Sequence, residues 1–151
     1  MRTVFATCFL GIAANIAFAE YSGGYRGPNR DGIYPATGLL KKWPEGGPQL
    51  LWKHENVGDG FSSVVVVNKN VYVTGKNHDD GAKNGSLHCF TLDGQLEWKK
   101  KYGPETATGR FEGPRATPEF VDGVICFTSG KGSLYCMDAE TGDIKWQVDL
   151  I

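Results

Sequence analysis

The 151-residue sequence carries almost no net charge: 16 Lys and Arg against 17 Asp and Glu leave a formal value of -1. A chain balanced this closely has no basic footprint for a phosphate backbone, so nucleic acid is not an expected partner. Cysteine is scarce, four in all, and no two stand in the close C-x-x-C spacing of a zinc site. The three histidines, His54, His78 and His88, are scattered and suggest neither a metal site nor a catalytic triad. Gly-x-Ser-x-Gly, phosphate-loop and dinucleotide fingerprints are all missing. Beyond the first residues no apolar run approaches the roughly 20 residues a membrane-spanning helix needs.

What the sequence has in excess is glycine, 21 residues, about twice the usual share of roughly 7%. Eight Phe, six Tyr and four Trp accompany it, a composition of short aromatic strands joined by tight turns. The N-terminus reads as a leader. Arg2 supplies a positive start, Val4 to Ile16 is apolar apart from Thr7 and Asn15, and Ala17-Phe18-Ala19 is the small-x-small pattern of a cleavage site. The expectation is a signal peptide over residues 1–19, a mature chain from Glu20 and a periplasmic or extracellular destination, with no transmembrane segment after cleavage. Cleavage removes Cys8 and leaves Cys89, Cys126 and Cys136, an odd number in a compartment that permits disulfides.

An internal repeat organises the rest. Trp52, Trp98 and Trp146 end three similar segments, Gln49 to Lys53, Gln95 to Lys99 and Asp143 to Gln147, spaced 46 and 48 residues apart. Gly85-Ser86-Leu87-His88-Cys89 and Gly132-Ser133-Leu134-Tyr135-Cys136 precede the second and third. Each repeat holds four strand-like runs: Ser62 to Val67, Val71 to Thr74, Ser86 to Leu92 and Gln95 to Lys101, then Ala116 to Val121, Val124 to Thr128, Ser133 to Asp138 and Asp143 to Val148. Turn residues separate them, among them Asp122-Gly123 and Thr141-Gly142. Four antiparallel strands per repeat at this period describe a β-propeller blade, whereas a β-sandwich would not repeat the same landmarks in register.

The expected fold is therefore all-β: a propeller fragment of about two four-stranded antiparallel blades after a signal peptide. The expected layout is a leader at 1–19, a lead-in at 20–48 and repeats at 49–151. Propellers close with about four to eight blades, so two leave flanks that need partners. Those are expected to be the remaining blades of a longer chain or further copies of this one.

Asp138-Ala139-Glu140-Thr141-Gly142-Asp143-Ile144-Lys145-Trp146 resembles the tryptophan-docking repeat of pyrroloquinoline-quinone-type propellers, with its pattern Asp-x-x-Thr-Gly-x-x-x-Trp. Leu92-Asp93-Gly94-Gln95-Leu96-Glu97-Trp98 is a version one residue shorter that lacks the Thr. Tyr25 to Gly32, Thr37 to Leu40, Trp43 to Pro48 and Gly113-Pro114-Arg115 resemble stretches of secreted bacterial members. The resemblance implies structural roles for Trp52, Trp98, Asp138, Thr141, Gly142 and Trp146, the rings packing against the neighbouring blade. It leaves activity open. Some members are quinone- and calcium-dependent alcohol or sugar dehydrogenases; others bind no cofactor and serve as docking platforms in the envelope. Many of the dehydrogenases carry a disulfide between adjacent cysteines, and this sequence has no Cys-Cys pair.

The leading expectation is an exported scaffold for an envelope protein or a small ligand, the alternative a fragment of a dehydrogenase using pyrroloquinoline quinone and calcium. Candidate binding residues lie in the two loops leading into the innermost strands: Asp59, Ser62, Ser63, Arg115 and Thr117. Arg115 either forks onto a ligand carboxylate or is held by Glu112 or a backbone carbonyl. Asp59 is either a calcium ligand or a turn residue. The loop 77–84 has oxygen ligands but not the alternating spacing that wraps calcium, so no metal site is expected there. Cys126 and Cys136 face each other if their hairpin loop has three residues, as a disulfide or as buried thiols.

Overall fold

The computed structural model describes residues 24–34, 37–76, 83–106 and 110–151. The leader expected at 1–19 and residues 77–82 of the oxygen-rich loop lie outside them. Among the described residues no helix is long and apolar enough to cross a membrane. Two four-stranded antiparallel meanders make up the fold: β1 (Val65–Val67), β2 (Asn70–Lys76), β3 (Asn84–Thr91) and β4 (Leu96–Pro104), then β5 (Glu119–Val121), β6 (Val124–Thr128), β7 (Ser133–Asp138) and β8 (Ile144–Asp149). This is an all-β propeller fragment of about two blades.

Local chemistry sets the hairpins. At the β5–β6 turn Asp122 and Gly123 both have positive φ, 46° and 83°, the conformation of a two-residue turn that follows the strand twist. The β1–β2 turn does the same with Asn68 and Lys69, at 50° and 70°. The innermost strands are shorter than the hydrophobic runs suggest. β5 begins at Glu119 rather than Ala116, because Pro118 has no N–H to give to a ladder. β1 begins at Val65 rather than Ser62, because Phe61 donates its N–H to the Pro114 carbonyl and Ser63 to the Thr117 hydroxyl. Both bonds tie that stretch to the second repeat instead of to β2.

The core is the seam between the sheets. Val67, Tyr72, Leu87 and Cys89 of the first meet Ile125, Phe127, Tyr135, Met137 and Ala139 of the second, with Trp98, Tyr102 and Phe120 packed alongside. Tyr102 lies 4.7 Å from Phe127 and 5.2 Å from Tyr135, ring to ring. Each such side chain contributes roughly 1.5–3 kcal/mol on burial. The exposed Lys100–Asp143 pair across the same seam, at 2.8 Å, contributes at most about 1 kcal/mol. Apolar packing therefore holds the sheets together.

Three polar links supplement it. The Tyr72 hydroxyl donates to the Ala139 carbonyl at 3.0 Å, and burial pushes its pKa up to about 12. Glu105, fully buried in the strap between β4 and β5, accepts from the Tyr102 hydroxyl at 2.8 Å and the Gly130 N–H at 2.7 Å. Burial first, and then the Glu105 carboxylate, holds the Tyr102 phenol far above its ordinary pKa.

Both sheets carry a register shift at the same point, after Cys89 in β3 and after Cys136 in β7. Cys126 and Cys136 stand directly opposite each other, 4.2 Å apart at Cα, and form a disulfide. Cys89 is a buried free thiol whose pKa burial raises to about 11.

Candidate functional site

Two loops meet at the end of the sheets where β1 and β5 begin: residues 58–63 from the first repeat and 110–117 from the second. Gly58 and Gly60 flank Asp59, and the Asp59 carbonyl accepts the Lys76 N–H at 2.7 Å, fixing the first loop to the end of β2. Phe61 N–H to the Pro114 carbonyl, 2.8 Å, fixes it to the second loop. That loop is anchored in turn by the Gly113 N–H on the Thr106 carbonyl, also 2.8 Å. The backbones thus form one rim.

Charge sits beneath the rim. Lys76, buried at the end of β2, pairs its ammonium with the Glu112 carboxylate. Removing one partner of such a pair leaves an uncompensated charge and costs about 3–5 kcal/mol. Above it, Gly58, Asp59, Gly60, Phe61, Arg110 and Glu112 line a cavity of about 550 Å³. Phe61 and Phe111 meet edge to face across the rim, 5.7 Å between centroids and 73° between planes, and the Arg110 guanidinium lies 5.5 Å from the Phe111 ring centre. Both rings stay open to solvent, 58% and 52% exposed.

Of the residues expected to bind, only Asp59 lines this cavity. The Ser62 hydroxyl accepts from Thr74 at 2.8 Å and donates to the Thr74 carbonyl at 3.2 Å. Thr117 accepts the Ser63 N–H. Arg115 donates to the Phe111 carbonyl at 2.6 Å, so it braces its own loop while Glu112 is taken by Lys76. Phe61, Phe111, Arg110 and Lys76 were not singled out by the sequence. The signal available was an aromatic in each of two equivalent loops; nothing in a linear reading links Lys76 to Glu112.

The donor set does not fit calcium. Among the described residues no three acidic, His or Cys side chains cluster to hold a metal, and Glu112 is committed to Lys76. No step through a quinone or calcium is derived from these residues. Elsewhere, Asp138 turns its Oδ1 onto the N–H groups of Glu140 and Thr141, both at 2.9 Å, and Lys145 pairs with its Oδ2. These contacts, the Thr141 N–H first, hold its carboxyl down at about 2. The Lys100 ammonium and the Thr141 hydroxyl lower the pKa of Asp143. These two aspartates shape a turn.

Among solved structures, a europium-containing methanol dehydrogenase matches with a TM-score of 0.52 and 19% identity, over 67% of this chain. The chain spans 18% of that protein's length, and at this identity the likeness speaks to the fold alone. No curated protein matches the chain's sequence. A family profile, PQQ_2, described as outer membrane protein assembly factor BamB, matches residues 42–150; with that match across most of its length, the chain belongs to this PQQ-like repeat family.

Proposed function

We propose that the chain is part of an exported PQQ-like propeller that acts as a binding scaffold, with the rim formed by residues 58–63 and 110–117 as its contact surface. The observation that carries this reading is the exposed Phe61–Phe111 pair, flanked by Asp59 and Arg110 and fixed in place by backbone bonds between two repeats. Rigid aromatic rings beside charged groups contact a partner at small entropic cost. The leader-like residues 1–19 and the family's description as an outer membrane assembly factor support an envelope destination.

The test places a photo-crosslinking residue at position 111 of the exported protein. A discrete protein adduct that disappears with Phe61→Ala is the expected result. The companion measurement is a titration with pyrroloquinoline quinone, with and without calcium, followed by tryptophan fluorescence. Saturable, calcium-dependent quenching would overturn the scaffold in favour of a dehydrogenase.

A further inference from the structure

Residues 24–34 of the lead-in close into a tight loop. The Gly24 carbonyl accepts the Gly27 N–H and the Gly27 carbonyl the Arg30 N–H, both at 3.1 Å, and the Arg26 carbonyl accepts the Gly32 N–H at 2.8 Å. The Asp31 Oδ1 accepts the Ile33 N–H at 2.8 Å. These bonds hold two non-glycine residues in the left-handed region, Arg26 at φ 68° and Arg30 at φ 59°, where an L side chain is disfavoured. Backbone strain of this kind persists where the side chain it aims is put to use. For Arg30 the use is visible: its guanidinium stands 3.7 Å from the Glu119 carboxylate at the start of β5. Arg26 is held in the same conformation, yet its guanidinium has no hydrogen-bond or ion-pair partner among the described residues.

Arg26 faces a cleft of about 470 Å³, which it lines with Tyr25 and Tyr34 of the same loop and with Ser63, Val64 and Val66 at β1. That volume is of the order of a small-molecule site. Tyr25, Tyr34 and Val64 are 64%, 52% and 54% exposed, so their apolar surface is open to a ligand. Two loop glycines place the groups around the cleft. At Gly27, φ 84°, a Cβ would stand 3.1 Å from the Tyr34 ring, and at Gly32, φ 80°, 3.9 Å from the Arg26 Nε. Arg26 carries the only formal charge on this lining among the described residues. The hydroxyls of Tyr25, Tyr34 and Ser63 engage no partner among them either, and each can donate or accept.

We infer that this cleft binds an acidic sugar, a pyranose ring that bears a carboxylate. The lone positive charge calls for an anion, and a guanidinium fork matches the two coplanar oxygens of a carboxylate. The tyrosine rings and valines offer flat apolar surface to the C–H face of the sugar, while the three hydroxyls meet its hydroxyl groups. A flat aromatic acid would leave those hydroxyls unused, and a neutral sugar would leave Arg26 unused. The cleft involves none of Asp59, Phe61, Arg110 and Phe111, so it stands independently of the rim. Such a sugar reaches it either free or as one unit of a polysaccharide, and both present the same ring and carboxylate.

Isothermal titration calorimetry of the protein with galacturonate, trigalacturonate and galactose tests this. Both acids should bind, and galactose at least tenfold more weakly. A trigalacturonate affinity tenfold or more above the monomer's assigns the site to polysaccharide; any smaller ratio assigns it to the free sugar acid. Arg26→Gly removes the guanidinium and relieves the left-handed residue. It should lose binding at least tenfold while its urea midpoint stays at or above that of the wild type. Arg30→Gly makes the same backbone change and should keep its affinity. Tyr25→Ala should also weaken binding, and carries the test if Arg26→Gly lowers the midpoint. The inference is overturned by galactose binding as well as galacturonate, or by no heat from either acid at tens of millimolar. It is equally overturned by a folded Arg26→Gly or Tyr25→Ala that binds undiminished, or by Arg30→Gly losing as much affinity as Arg26→Gly.

Discussion

The inner seam and the outer face of this molecule are built at the same repeat positions but stabilised differently. At the seam the three aligned positions are Tyr72, Cys89 and Trp98; on the outer face they are Cys126, Cys136 and Trp146. The first set reaches outward, through the Tyr72–Ala139 hydrogen bond and the packing of Trp98 against the next sheet. The second is joined inward by a disulfide between neighbouring strands. A sheet with a neighbour draws order from it. The second sheet carries its own covalent link.

The largest way to break this comparison lies in the strap beneath the seam. Glu105→Ala removes a buried carboxylate that holds Tyr102 and the Gly130 N–H. Charge-assisted bonds contribute about 1.5–3 kcal/mol each, so a loss of about 4 kcal/mol is expected in urea unfolding. Glu105→Gln, which keeps one acceptor, should cost roughly half as much. A loss below about 1 kcal/mol for the alanine variant would show that the strap follows the seam rather than holding it.

In the second sheet the corresponding change is reduction of the Cys126–Cys136 link, whose ends are 10 residues apart. Loop-closure entropy for a ring of this size gives about 3 kcal/mol. Cys126→Ser/Cys136→Ser should lower the unfolding midpoint accordingly, and a reducing agent should leave that variant unchanged while bringing the wild type down to it. An equal response of both proteins to reductant would place the stabilisation elsewhere.

The repeat was legible because its signals are local. Period-two strands, Asp122-Gly123 and the spaced tryptophans fix four-stranded units without reference to distant residues. What joins the units was not. Lys76 and Glu112 are 36 positions apart, and only folding brings the end of β2 beneath the second loop. Glu105 resembles any surface glutamate until the strap buries it. The β1–β2 connection was placed between Val67 and Val71 but its turn type was not legible, because Lys69 adopts positive φ without the glycine that marks such turns. For Arg115 the sequence left two readings, a ligand carboxylate or a hold on its own loop, and the guanidinium donates to the Phe111 carbonyl of that loop.

A pH titration sharpens the contrast between the two faces of the first sheet. His88 is buried at the front of that sheet, stacked on Phe90. Burial first, and then Lys99, lowers its pKa from 6.5 to about 4. The folded state thus holds His88 neutral where the unfolded chain would protonate it. Its contribution is complete above the unfolded value and is lost as pH falls from about 6.5 toward about 4. Between about pH 7 and pH 5 the wild type should lose roughly 2 kcal/mol through this group. His88→Leu should flatten that slope, read from urea midpoints at successive pH values; an unchanged slope would exclude His88 as its source.

The smallest effect tests the hydrogen bond that marks the seam itself. Tyr72→Phe keeps the ring and its contact with Trp98, 6.0 Å between centroids, and deletes the hydroxyl that donates to Ala139 and accepts a longer bond, 3.4 Å, from Asn70. A neutral hydrogen bond contributes about 1 kcal/mol net, so the variant should lose about that much and retain its near-ultraviolet signal from packed aromatics. Combining it with the reduced disulfide separates the two strategies. The phenol acts across the seam and the disulfide acts within the second sheet, so their effects should add to within about 0.5 kcal/mol. A larger shortfall would mean that the link between Cys126 and Cys136 also orders the Ala139 turn that Tyr72 grips, and the two faces would then be one cooperative unit.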